Sequence, residues 1–204
     1  MTPSSPIRRR LLSRRTSVRA RLVLLSVALV LGPAPLRAAE IEDIAFPESV
    51  SAADQKIPLF GLGLLRYRVL FRGYVGGLYL PADATADQTL SDIPKALELY
   101  YFWDIEGRFF GEAADELLAR SLPAERVSAL RERLDRLHAL YRDVKAGDRY
   151  RLTYEPGRGT TLAYNGQPLG TIPGADFARD YFGIWLGDEP SRTPFATSCS
   201  RAAE

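Results

Sequence analysis

Two stretches with apolar residues every three or four positions are set into a chain that otherwise repeats every two, and that order limits the architectures open to it. Phe109, Ala113, Glu116, Leu117 and Arg120 trace one helical face, and Val127, Leu130, Leu134, Leu137 and Tyr141 trace a second. Pro123 and Glu125 fall in the first turn of the second helix and Gly147 follows its end, as start and stop chemistry requires. Its outer face, with Arg131, Glu132, Arg133, Asp135 and Arg136, reads as a solvated stripe of mixed charge.

On either side of the helical pair the texture is that of strands. From Ile44 to Leu80, Pro and Gly punctuate short apolar segments. Leu65, Tyr67, Val69 and Phe71 alternate with Leu64, Arg66, Arg68 and Leu70, which predicts one strand through this stretch. Further strands are expected at Tyr74–Leu80 and at the aromatic run Leu97–Trp103. After the helices, Tyr150, Leu152 and Tyr154 alternate with Arg149, Arg151 and Thr153; Gly157-Arg158-Gly159 turns the chain and Asn165-Gly166 marks a hairpin. Pro168–Ile172 is a last strand, a helix runs from about Asp176 to Trp185 and stops at Gly187, and Thr193-Pro194 can open another short helix. Strands, helices, strands and helices in that order give an α+β class with a mainly antiparallel sheet covered by helices.

Residues 1–38 stand apart from this pattern. Their eight charges are all Arg, and Leu22–Leu31 is an apolar run of ten followed by Gly32-Pro33 and the small pair Ala38-Ala39. A bilayer-spanning helix needs about 20 apolar residues, so the segment is expected to be an export signal peptide, with the folded domain at 39–204 and no stable membrane span after cleavage. Periplasmic or secreted localisation follows. Ser13–Val18, with Arg14-Arg15, matches a twin-arginine signal loosely, and Arg-rich leaders also produce such pairs by chance.

The rest of the chain holds 19 basic residues against 25 acidic ones, a formal net of −6. Nucleic-acid binding needs a concentrated positive face and is not expected. One His and one Cys leave no Cys/His zinc set and no disulfide framework within a chain, and Cys199 reads as structural. No phosphate-cradling Gly loop, serine elbow or paired metal-ligand motif is present, so neither cofactor nor metal is expected, and His138 has no acid–nucleophile partner at a useful spacing.

Several segments taken together carry a resemblance. Gly61-Leu62-Gly63-Leu64-Leu65-Arg66, Tyr74-Val75-Gly76-Gly77-Leu78-Tyr79-Leu80, Lys145-Ala146-Gly147-Asp148, Tyr154-Glu155-Pro156-Gly157-Arg158-Gly159-Thr160 with Asn165-Gly166, and Gly183-Ile184-Trp185-Leu186-Gly187-Asp188-Glu189-Pro190 closely resemble the exported bacterial branch of the chalcone isomerase-like family. The match runs from about Phe60 to Phe195. It implies an open-faced β-sandwich, an antiparallel sheet with a helical layer and a ligand cleft between them. The family includes isomerases and fatty-acid binders, so membership does not settle activity. The resemblance puts Arg66 at the position of a cleft Arg that stabilises an oxyanion in the enzymes and holds a carboxylate in the binders. It puts Tyr74 where the enzymes have a Thr, Phe110 where they have a Tyr and Leu117 where they have an Asn.

Phe110 and Leu117 supply no hydrogen-bond donor. Losing one such donor costs about 2.7–4 kcal/mol of transition-state stabilisation, so losing two argues against isomerase chemistry. The expectation is a non-catalytic protein that binds a small amphipathic anion, such as a fatty acid, through Arg66, Tyr74, Tyr101 and Phe110. The alternative is an intramolecular lyase of chalcone-isomerase type acting on a carbonyl or phenol substrate. Arg66 either points inward toward a ligand's carboxylate or sits on the outer face or pairs with an acid such as Asp148. Tyr74 either adds a hydroxyl to the anion or packs at the sheet rim. Tyr101 and Trp103 either line the cleft or belong to a plain core, and Arg68 either widens the positive site or faces solvent.

Overall fold

The structure, a computed structural model, describes residues 39–67 and 71–187, with the side chains of all these except 65–67, 71 and 72. The expected leader, Arg68, Cys199 and the helix expected at Thr193-Pro194 lie outside the described residues.

Seven antiparallel strands form one sheet in strict chain order: β3 (Ser49–Ala52), β4 (Gln55–Tyr67), β5 (Phe71–Tyr79), β6 (Lys95–Tyr101), β7 (Arg149–Glu155), β8 (Gly159–Tyr164) and β9 (Gln167–Ile172). A small hairpin, β1 (Ala39–Ile41) with β2 (Ile44–Phe46), precedes it. Three helices, α1 (Arg108–Ser121), α2 (Ala124–His138) and α3 (Ala175–Leu186), complete the fold. The expected sheet with a helical layer is what forms.

The strand expected across Leu64–Phe71 is instead the end of β4 and the start of β5. Tyr67 pairs with Phe71, so the chain reverses between them. Arg68-Val69-Leu70 offers none of the Gly, Asn, Asp or Pro that ordinarily announce a turn, and the unbroken alternation concealed the reversal. At the β8–β9 hairpin the chemistry is explicit: Asn165 and Gly166 take φ of 48° and 81°, the left-handed pair a tight two-residue connection needs.

The inner face of the sheet carries the main core. Alternation in β7 sends Tyr150, Leu152 and Tyr154 inward, against Leu118 of α1, Leu134 of α2 and Phe177 of α3, all buried. Each fully buried side chain of this size contributes about 1.5–3 kcal/mol. The outer face carries a smaller core in which Val50, Ile57, Tyr79 and Ala96 meet. Phe46 lies so close to β5 that a Cβ on Gly77 would stand 2.9 Å from its ring, which is why a glycine is required there. On this face the buried Glu98 carboxylate accepts from Arg149 at 2.7 Å and pairs with Arg151 at 3.5 Å. Arg149 also donates to the Ala45 carbonyl, tying the N-terminal hairpin down.

The α2 charge stripe is not simply solvated. Arg133 grips Asp176 of α3 with two hydrogen bonds of 2.8 Å, Arg126 reaches both Asp176 and Asp180, and Arg131 pairs with Asp115 of α1 at 3.0 Å. The hydrogen bonds from Arg133, opposed by partial burial, hold the Asp176 carboxyl well below the usual carboxylate range. α2 also ends at His138 rather than running on to Tyr141. Leu140 and Tyr141 close a tightened last turn through bonds of 3.0 and 3.2 Å to Leu137 and His138.

Candidate functional site

Between the inner face of the sheet and the helices lies a cavity of about 680 Å³. Its floor is made by inward residues of four adjacent strands, Tyr74, Leu99 and Tyr101, then Tyr150, Leu152 and Leu162. Phe110, Ala114 and Leu117 of α1 and Tyr181, Ile184 and Trp185 of α3 form its roof. Among the described lining residues no Asp, Glu, Lys, Arg or His occurs. Trp103 and Phe109 line it too while standing 55% and 42% exposed, so they mark where the cavity meets solvent.

Three of the four expected site residues meet here. Tyr101 sits opposite Tyr74 in the β5–β6 register, their rings edge-to-face at 5.9 Å, and it approaches Phe110 at 5.3 Å. Phe110 is the hub of the cluster. It stacks on Tyr141 at 5.0 Å and meets Tyr150 edge-on at 5.3 Å, within the range where aromatic pairs add about 0.5–1.5 kcal/mol each beyond area burial. The fourth, Arg66, has its backbone in β4 one residue beyond Leu65, the partner of Tyr74, and pairs with Arg72; its side chain lies outside the described residues. Asp148, the acid considered as its internal partner, is engaged by the Tyr164 hydroxyl at 2.6 Å, Asn165 at 2.8 Å and the Lys145 amide at 2.7 Å. Trp103 falls just past the end of β6, at the mouth rather than on the expected strand.

The hydroxyls of the lining are handled unequally. The Tyr150 hydroxyl accepts from the Arg142 amide at 2.7 Å and donates to the Arg142 carbonyl at 2.9 Å, so it is complete. Trp185 donates its indole N–H to the Tyr74 oxygen at 2.8 Å, and Tyr141 and Tyr181 share one hydrogen bond of 2.8 Å. Burial, reinforced by the neighbouring tyrosines, pushes the Tyr101 and Tyr181 hydroxyls well above the ordinary phenol range, so both keep their protons at neutral pH.

Sequence reasoning missed Tyr141, Tyr181 and Trp185 as lining residues. A signal for them existed: tyrosine at inward positions of an apolar stripe brings a polar tip into a core, which is unusual unless something there receives it. Leu117 lines the cavity beside Phe110, so both hydrocarbon side chains stand in the lining itself.

Among the described residues no cluster of His, Cys, Asp and Glu could hold a metal ion, and no helix is long and apolar enough to cross a membrane. A comparison with curated proteins finds no match. Among solved structures, a fatty-acid binding protein of Arabidopsis thaliana is similar in fold, with a TM-score of 0.62 at 19% identity over 76% of this chain and 91% of that one. The sequence profile of the chalcone isomerase-like family matches residues 38–195. With that span, the chain belongs to the chalcone isomerase-like family.

Proposed function

We propose that this protein is an exported carrier or receptor for a small amphipathic anion of the fatty-acid class, held between sheet and helices without chemical conversion. The observation that carries the reading is the cavity of about 680 Å³ with an almost wholly hydrocarbon and aromatic lining. Its size falls within the roughly 300–1,000 Å³ of small-molecule sites, and a lining of this kind solvates an acyl chain well. Phe110 and Leu117 present hydrocarbon where catalysis would need donors, which favours binding over the isomerase alternative. Arg66, next in β4 to the partner of Tyr74, supplies the charge for the head group in this reading, and Tyr74, Tyr101 and Phe110 surround the ligand beside it. The Arg-rich and then apolar first 38 residues support export.

The test is calorimetric binding of long-chain carboxylates to the purified, delipidated protein, together with Arg66→Ala. A charge-assisted hydrogen bond contributes about 1.5–3 kcal/mol, so the variant should bind at least about tenfold more weakly. Equal binding by the variant removes Arg66 as the anchor. Cyclisation of a chalcone faster than its spontaneous rate, dependent on Arg66, would replace this reading with the isomerase one.

A further inference from the structure

The cavity lining holds hydroxyl protons that no partner among the described residues receives. Tyr101 is 4% exposed, its side chain borders the cavity, and its hydroxyl has no hydrogen-bond partner among the described residues, while every other phenol of the lining has one. The Tyr141–Tyr181 pair adds a second spare proton. Two phenols joined by one bond use one O–H, and the hydroxyl that accepts keeps its own proton unspent. Against these donors the described lining offers no side-chain carbonyl, carboxylate or amide to receive them. An occupant that covers such a donor without pairing it incurs about 1–3 kcal/mol, so one that supplies the missing acceptor is favoured over one that does not.

Resting on the reading that the cavity holds an amphipath, we infer that its ligand carries a carbonyl or carboxylate oxygen at the level of Tyr101, which donates its O–H to that oxygen and selects for acceptor-bearing lipids. Tyr101 is then the residue that reads the head group, while Arg66 adds attraction only when that group is charged. Burial holds the Tyr101 hydroxyl well above the ordinary phenol range, which fits this role because the proton stays available for donation throughout the neutral range. Its position supports the same end of the ligand. Tyr101 pairs with Tyr74 and Tyr74 with Leu65, so the three lie in one row across the sheet, immediately before Arg66 in β4.

Three twelve-carbon probes separate charge from acceptor strength: dodecanoate, methyl dodecanoate and dodecylamine. The wild-type protein is expected to take up both oxygen-bearing probes and to bind dodecylamine more than about tenfold more weakly than dodecanoate. Tyr101→Phe should weaken both oxygen-bearing probes by about 3- to 10-fold, the worth of one hydrogen bond, and Arg66→Ala should weaken dodecanoate far more than its ester. The ester carbonyl stretch should shift to lower frequency on binding to wild type and lose that shift in Tyr101→Phe. The ligand-free variant should melt at the same temperature as wild type or higher, because it loses a hydroxyl that nothing pairs. Unchanged binding of both oxygen-bearing probes by Tyr101→Phe, or dodecylamine bound as tightly as dodecanoate, overturns the inference while leaving the cavity as a lipid site. Failure of wild type to bind any of the three removes the ligand reading and this inference with it.

Discussion

Lys95 and Tyr101 stand at opposite ends of β6, both inward-facing and both almost fully buried, yet the chain treats their polar groups in opposite ways. The Lys95 ammonium donates to the Ser91 carbonyl and lies 5.5 Å from the Tyr154 ring and 5.9 Å from that of Phe182, while Tyr154 in turn donates to Asp92. That end is solid and supplies its own partners. The Tyr101 end is hollow, and its hydroxyl meets no partner among the described residues. A buried polar group met from within contributes to stability; in the proposed reading, one left facing a cavity is where a ligand completes the structure.

Removing packing from each end should cost very different amounts. Phe182→Ala, at a fully buried site beneath Lys95, is expected to cost about 3–5 kcal/mol of unfolding free energy in denaturant titrations. Replacing Lys95 comes next. Burial lowers its pKa to about 8, with Asp92 opposing the shift, whereas an unfolded lysine titrates near 10.4. Between those values the unfolded chain binds a proton that the folded chain does not, so wild-type stability should rise as pH increases from about 8 toward 10. Lys95→Met should abolish that rise and be more stable at pH 7 by about 1–3 kcal/mol, read by melting across the pH range. Smallest is Leu117→Ala at the hollow end. It widens a space already open, so it should cost only about 1 kcal/mol in the same denaturant titration, a loss of partial burial without a new cavity. Equal costs for Phe182→Ala and Leu117→Ala would show that the two ends are packed alike.

Much of this architecture could be read from residue order. The period-two run of β7, the Asn165-Gly166 hairpin and the stop at Gly187 are local signals, and each appears where its chemistry places it. What escaped notice depends on contacts distant in sequence. The reversal between Tyr67 and Phe71 has no turn residue to announce it. Arg133 resembles any exposed helix charge until Asp176, 43 residues later, comes to rest beneath it. In the site, Tyr74 and Phe110 could be named because a family resemblance supplied their positions, and Tyr101 because it falls in the aromatic run of a predicted strand. Tyr141 and Tyr181 were passed over, since their one signal, a polar tip in an apolar stripe, also fits plain core until a cavity is seen beside it. The unmet proton of Tyr101 is a property of the assembled lining, and no pattern within β6 encodes it.

In the proposed reading, the space over Tyr101 is a ligand site and not a packing defect. The most direct measurement is a calorimetric titration of dodecanoate into the delipidated protein and into Leu117→Trp, whose larger side chain grows from α1 into the cavity. Saturable binding with a negative heat-capacity change in wild type, lost in a variant that still melts cooperatively, is the predicted result. Binding of equal strength in both proteins, or none in wild type, would contradict it.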